Sequence, residues 1–155
     1  DVAMGSSKWI NLHRHRDEDE KADNTMACIK ELRAAGYRIV ATSLDPSSIP
    51  LHQLPLEEKT SLWFGTEEEG LSEAVLGHAD AHVHIPMLGF TQSFNISVSA
   101  AICLYELRSR MAKSGIPHDL SEAEQRAVYR LWLGSTLKNC EILERGFLKG
   151  LKQAP

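Results

Sequence analysis

The sequence predicts an α/β fold, a mainly parallel sheet flanked by helices, with further helices at its C-terminal end. Three observations carry this reading. Short strand-like runs alternate with helix-period segments, the pattern of βα units. Two of those runs, Ser61–Phe64 and His82–Ile85, end in flexible polar loops, which places a ligand crevice at one edge of the sheet. Beyond Pro117 only helical patterning remains.

The elements follow in order. Trp9-Ile10-Asn11-Leu12-His13 reads as a short strand or a transition into one, and Arg14 to Lys21 as a solvated charged connection. From Asp23 or Asn24 to Ala35, Met26, Ile29 and Leu32 share a helical face, and Gly36 is the natural stop. Tyr37–Thr42 is a strand. Leu44–Leu56 is a loop, because it carries Pro46, Pro50 and Pro55. Ser61–Phe64 is the next strand, Leu71–Leu76 a short helix, and His82–Ile85 another strand. A long helix runs from about Ser93 to Lys113, so apolar at its start that deep burial is expected there. Ser121-Glu122-Ala123-Glu124 has capping-box form and opens a helix to about Leu133. A last helix spans Ser135 to Lys152, with Leu137, Cys140, Leu143, Phe147 and Leu151 expected inward.

Composition bounds the function. At 155 residues the chain fits one domain with a substantial core. No run is apolar enough to span a bilayer and no signal-peptide pattern opens the chain, so a cytoplasmic address is expected. The three cysteines, Cys28, Cys103 and Cys140, lack CxxC spacing and read as reduced thiols, with Cys103 in a helix core. A net charge of −4 argues against strong nonspecific nucleic-acid binding, so any RNA contact is expected to rest on a local basic patch, a dimer, or segments missing from this chain. His13 and His15 with Arg14 and Arg16 form a compact basic cluster, offset by Asp17 to Glu20. His82 and His84 point the same way from a strand near Asp80, yet a metal would need further ligands, and none is expected. No GxGxxG follows a strand, which sets a Rossmann dinucleotide site aside.

Four stretches, in order, carry a family likeness: Gly5-Ser6-Ser7-Lys8-Trp9; Ala35 to Thr42; Gly65-Thr66-Glu67-Glu68-Glu69-Gly70-Leu71-Ser72; and Ile85-Pro86-Met87 followed by Ser93-Phe94-Asn95-Ile96-Ser97-Val98-Ser99-Ala100-Ala101. In these the chain resembles the SpoU/TrmH-type RNA 2′-O-ribose methyltransferases of the SPOUT superfamily. The resemblance implies an α/β domain at 1–115 tied in a C-terminal trefoil knot, with a helical extension at 116–155. It implies S-adenosylmethionine as cofactor, and 2′-O-methylation of structured RNA, tRNA first and rRNA second. The partners implied are that RNA and a second copy of the chain, with no membrane and no DNA.

Carried over by position, the cofactor touches Thr42 and Leu44, then Gly65 and Glu67, then Ile85, Met87 and Phe94. Ser93, Asn95 and Glu67 line the reaction centre. Ser93 and Asn95 could equally be N-caps of the long helix. Glu67 to Glu69 could be an acidic first turn, and Gly65 and Gly70 an ordinary turn. The family's first motif, with an Asn and an Arg that acts on the ribose hydroxyl, would precede Gly5. The chain opens in mid-pattern at Asp1-Val2-Ala3, and nothing before Gly5 supplies that Arg, so the chain as it stands is expected to be inactive. The rival reading is a non-catalytic RNA-binding or dimerisation module that keeps the cofactor pocket.

Overall fold

A computed structural model describes residues 9–15, 23–90 and 93–151. The Gly5–Lys8 part of the first matched stretch, most of the charged run, Thr91, Gln92 and Lys152 lie outside the described residues. The chain divides into two compact units, His15–His118, and Asp1–Arg14 together with Asp119–Pro155.

The larger unit is built on four parallel strands: β1 (Arg38–Thr42), β2 (Ile49–Pro50), β3 (Thr60–Trp63) and β4 (Ala81–His84), in the order β2-β4-β1-β3. The centre of β1 is apolar throughout, Ile39-Val40-Ala41, and all three residues are fully buried. Such a run suits a strand covered on both faces. Its register sets Val40 opposite Leu62 of β3 and Ala81 of β4.

Helix α1 (Asn24–Ala34) begins at Asp23, whose carboxylate accepts the Met26 amide at 3.0 Å, and it buries Ile29. Helix α2 (Glu73–His78) buries Val75; it starts two residues later than the apolar pattern suggested. Asp80, just before β4, joins these parts. Its carboxylate accepts the Ile39 amide at 2.7 Å and the Arg33 guanidinium at 2.8 Å, while the same Arg33 nitrogen donates to His78 O.

On the other side lies helix α3 (Ile96–Ser114), ended by Gly115 at φ 71°. Its Cys103 and Leu107 pack with Val40 and Val83 of the sheet. Leu51, Leu54 and Leu56 join the same core, so the Pro-rich segment is not a loose loop. It holds β2 and a 3₁₀ turn at Leu51–Gln53, whose carbonyls are held by Arg110 of α3: Nη1 to Leu51 O at 3.2 Å and Nη2 to Leu54 O at 2.8 Å. Pro50 is tolerated because β2 is an edge strand.

The expected deep burial at the start of α3 does not occur. Ile96 and Val98 are 42% and 44% exposed, because the first turn stands at an open edge beyond the strand ends rather than over the sheet.

In the smaller unit, α4 (Glu122–Thr136) has a complete capping box, with Glu124 N to Ser121 Oγ at 3.3 Å and Ser121 N to Glu124 Oε2 at 2.8 Å. It runs through to Thr136, past the stop expected at Leu133; Leu137 N still reaches Leu133 O at 2.9 Å. The next helix, α5 (Cys140–Leu151), therefore starts later, after Asn139 turns the chain at φ 61°. Leu137, Leu143 and Phe147, expected inward, are exposed. Helix α5 packs on α4, joined by Arg130 to Glu144 at 2.6 Å, and one neighbouring helix cannot cover its whole apolar surface. The expected strand at Trp9–His13 is absent. Trp9 instead meets the Trp132 ring edge-on at 5.3 Å, and its backbone has no strand to pair with.

Asp80→Ala is expected to lower unfolding stability by about 1–3 kcal/mol, because it strips a buried-strand amide of its acceptor. Arg33→Ala, which removes only the exposed half of that pairing, should cost less. Urea denaturation of the two variants checks the ranking; equal losses would contradict it.

Candidate functional site

The C-terminal ends of β1, β3 and β4 open on one edge of the sheet, and a cavity of about 670 Å³ lies there. Parallel strands all deliver their following loops to the same edge, which is why three stretches far apart in sequence meet. The first is Thr42-Ser43-Leu44 after β1. The second is Phe64 to Leu71 after β3. The third is Ile85 and Met87 after β4, with Ser93 to Ile96 at the start of α3.

All the residues assigned by position line this cavity. Thr42 and Leu44 form one wall, Gly65 and Glu67 a second, and Ile85, Met87 and Phe94 a third, with Ser93 and Asn95 beside it. Thr42 is also a structural joint, its hydroxyl donating to Trp63 O at 2.8 Å and tying the ends of β1 and β3. Leu44 is 66% exposed, and Phe94 40% exposed, so both stand at the open side.

The loop after β3 is closed on itself. Thr66 N donates to Gly70 O at 3.0 Å, and Gly70 N returns to Thr66 O at 3.1 Å. Glu69 N adds a bond to Thr66 Oγ1 at 3.0 Å. A Cβ on Gly65 would overlap the backbone of Gly70 and Leu71, and Gly70 takes φ 71°. The reason for glycine at 65 is thus the near-contact of the loop's own two ends. The cofactor contact that the resemblance implies for Gly65 is not needed to explain the glycine.

Asn95 joins the second loop to α3. Its Nδ2 donates to Glu67 Oε1 at 2.6 Å, while its Oδ1 accepts the Ser97 amide at 2.9 Å and the Ser97 hydroxyl at 2.6 Å. Asn95 is the N-cap of α3 and a cavity residue together, so the two readings of this position coexist. Glu67 is held by that amide rather than serving in a helical turn, since α2 begins only at Glu73. Ser93 is not the cap.

Several cavity residues carried no motif. Ser99 and Cys103 line it one and two turns beyond Asn95, a spacing of four that a helical reading of α3 could have used. Leu51 enters from the Pro-rich segment, where nothing in the sequence signalled order. His84 also lines the cavity, and its Nδ1 lies 2.8 Å from Ser48 Oγ. Among the described residues no three His, Cys, Asp or Glu are grouped to hold a metal.

Burial raises the Cys103 thiol above its ordinary pKa, and burial followed by the Glu31 charge does the same for Cys28. The Asp45 carboxyl is held below its ordinary value, first by the Ser47 hydroxyl, then by the Ser47 amide, with a smaller contribution from His82. A depressed carboxyl contributes to order above the unfolded-state pKa and loses that contribution as the pH falls through the folded-state value.

The chain matches the model of the SpoU rRNA methylase family over residues 1–105. It is 46% identical over 144 residues to a tRNA (guanosine(18)-2′-O)-methyltransferase of Borreliella burgdorferi, an alignment covering 93% of this chain and 63% of the relative. The protein of that name from Aquifex aeolicus is 32% identical over 133 residues, covering 84% of this chain and 60% of the relative. The chain therefore spans less than two thirds of the length of these curated relatives. Among solved structures, the A. aeolicus TrmH/SpoU tRNA modifying enzyme superposes with a TM-score of 0.70 at 30% identity, over 88% of this chain and 68% of that one. An AdoMet-bound rRNA methyltransferase from Sinorhizobium meliloti gives 0.52 at 31% identity, over 56% of this chain and 33% of that one.

Gly65→Ala is expected to break the Thr66–Gly70 bridge, because the added carbon has only backbone to displace. Gly70→Ala should cost about 1–2 kcal/mol through its left-handed backbone alone and leave the bridge formed. Amide hydrogen exchange at Thr66 and Gly70 separates the two. Protection that survives Gly65→Ala would rule out the closed-loop account.

Proposed function

The chain belongs to the SpoU rRNA methylase family, and from that membership we propose S-adenosylmethionine-dependent 2′-O-ribose methylation of structured RNA. tRNA is the first choice and rRNA the second. The observation that carries the proposal is the cavity at the strand ends, which Gly65 and Glu67 of one motif loop share with Ile85, Met87, Ser93, Phe94 and Asn95 of the other. The guanosine in the names of the tRNA-modifying relatives makes a tRNA guanosine the first target to try.

The cavity suits the cofactor in size and character. About 670 Å³ is within the usual range for a small-molecule site. Leu51, Phe64, Leu71 and Ile85 offer apolar surface, while Glu67 and Glu69 place carboxylates where a cationic sulfonium is favoured. When bound, the cofactor supplies an activated methyl group. Thr42, Leu44, Gly65, Glu67, Ile85, Met87 and Phe94 hold it. Ser93 and Asn95 position the ribose, and orientation of this kind is the main service a site can give a weak hydroxyl nucleophile. Glu67 acts by fixing the Asn95 amide, which leaves the second Nδ2 hydrogen to the substrate.

The same family membership supports residues 1–115 as the methyltransferase domain, closed by a C-terminal trefoil knot, with residues 116–155 as a helical extension. It also supports a homodimer. The exposed apolar residues Ile96, Val98, Leu104 and Tyr105 on α3 favour a self-complementary two-fold contact. No described helix is long and apolar enough to cross a membrane; tRNA and rRNA as substrates make the cytoplasm the proposed location.

Calorimetry should detect S-adenosylmethionine binding and no NADH binding, and Gly65→Trp should abolish the former. With an upstream-extended chain, labelled methyl should pass to unmodified tRNA or rRNA transcripts and map to a ribose. Asn95→Ala should slow that transfer on the order of 10²-fold while the fold persists. Label on a base would overturn the reaction; no transfer to any RNA would favour the binding-module reading.

Sedimentation at micromolar concentration is expected to give a dimer, and Leu104→Glu should shift it towards monomer. A wild-type monomer would remove the two-fold contact on α3.

A further inference from the structure

The loop between β1 and β2 is tied to β4 at both of its ends. At the start, Ser43 N donates to Val83 O at 3.0 Å, and Ser43 Oγ lies 2.9 Å from His82 Nδ1. At the finish, Ser48 Oγ lies 2.8 Å from His84 Nδ1. The two histidines are alternate residues of β4, so the loop is stapled twice to the same strand. Between the staples Asp45 organises a turn, accepting Ser47 N on its carboxylate at 2.8 Å and Ser48 N on its carbonyl at 2.8 Å. Ser43 Oγ also accepts a long bond from Asp45 N at 3.5 Å, which leaves its hydroxyl hydrogen for His82.

This loop presents Ser43 and Leu44 to the cavity, and His84 faces the cavity as well. Leu44 is 66% exposed and so gains little anchoring from packing. Its position depends on what holds the loop ends. Both Nδ1 atoms are committed to serine hydroxyls, and among the described residues no third metal-binding side chain joins them.

We propose that His82 and His84 are positioning residues, which staple the Ser43–Ser48 loop to β4 and thereby fix the wall of the cofactor cavity formed by Ser43 and Leu44. The link from loop order to cofactor affinity rests on the methyltransferase reading above; the staple itself does not.

Ser48→Ala is the decisive variant, because Ser48 does not line the cavity and can reach the cofactor only through His84 and the loop. Hydrogen–deuterium exchange on the full chain without ligand should show faster exchange across residues 43–48 in Ser48→Ala and in His84→Phe. The double variant should add nothing, since both remove the same bond. His84→Asn, whose amide can occupy the Nδ1 position, should restore protection. Calorimetry should then show S-adenosylmethionine affinity weakened about three- to tenfold in Ser48→Ala, the size of one lost hydrogen bond, and recovered in His84→Asn relative to His84→Phe. Unchanged exchange in Ser48→Ala would overturn the staple, and faster exchange with unchanged affinity would overturn its control of the cavity wall. Absence of cofactor binding by the unsubstituted chain would instead defeat the methyltransferase reading, while the ligand-free exchange still decides the staple.

Discussion

Strand β1 pairs on both edges, with β3 and with β4, and its centre is buried on both faces. A strand so enclosed has no freedom of register, because a slip of one residue would exchange the side chains packed under α1 and α2 with those packed under α3. Three fully buried aliphatic residues carry that constraint. Because β3 and β4 run parallel to β1, fixing β1 fixes where all three chains emerge. The cavity is a consequence: it forms where the sheet stops and the chains must turn away in different directions.

The described parts of the loops at that edge are tied by bonds of their own. The Thr66–Gly70 pair closes one, the Asp45 turn with its two Ser–His contacts closes another, and the third ends in the Asn95 cap. The Asn95–Glu67 bond then links the Thr66–Gly70 loop to the start of α3. A helix cap needs an acceptor at a fixed place, and a substrate-positioning group needs a donor at a fixed place. One carboxamide serves the cap and, in the proposed chemistry, can also serve the substrate, since its oxygen caps α3 and its nitrogen donates to Glu67 with one hydrogen to spare. Economy of this kind explains how a site can be rigid while its backbone lies at the surface.

Strands β1, β3 and β4 were legible because each is a short strand-like run followed by loop or turn residues. The capping box at Ser121 was legible because its chemistry is local. Strand β2 and the 3₁₀ turn were not, since Pro50 argues against a strand and only the tertiary contact to Arg110 reveals the order. The start of α3 misled in another way. Ile96 and Val98 signal an apolar surface, yet apolarity does not say whether the same chain covers it. Helix α5 repeats the lesson with Leu143 and Phe147. The motif residues of the cavity were legible by likeness alone. Leu51, Ser99 and Cys103 were not, because a lining role depends on which face the fold turns inward. The staple pairs Ser43–His82 and Ser48–His84 join positions 39 and 36 apart in sequence, a closeness that only the pairing of β4 with β1 and with β2 creates.

Cys103 raises a question that the proposed chemistry makes pointed. A thiolate is a strong nucleophile, and a sulfonium methyl group is a strong electrophile, so a thiolate in the wall of such a cavity would compete with the ribose hydroxyl. The fold answers with desolvation. Cys103 is 1% exposed, packed with Val40, Val83 and Leu107, and burial holds its thiol above the ordinary pKa. Burial thus disfavours the thiolate, and the side chain packs as a small apolar residue of the core. The placement of α3 that buries the thiol also caps its own N-terminus with Asn95, so the helix supplies the polar group at the mouth of the cavity and silences the reactive one deeper within it.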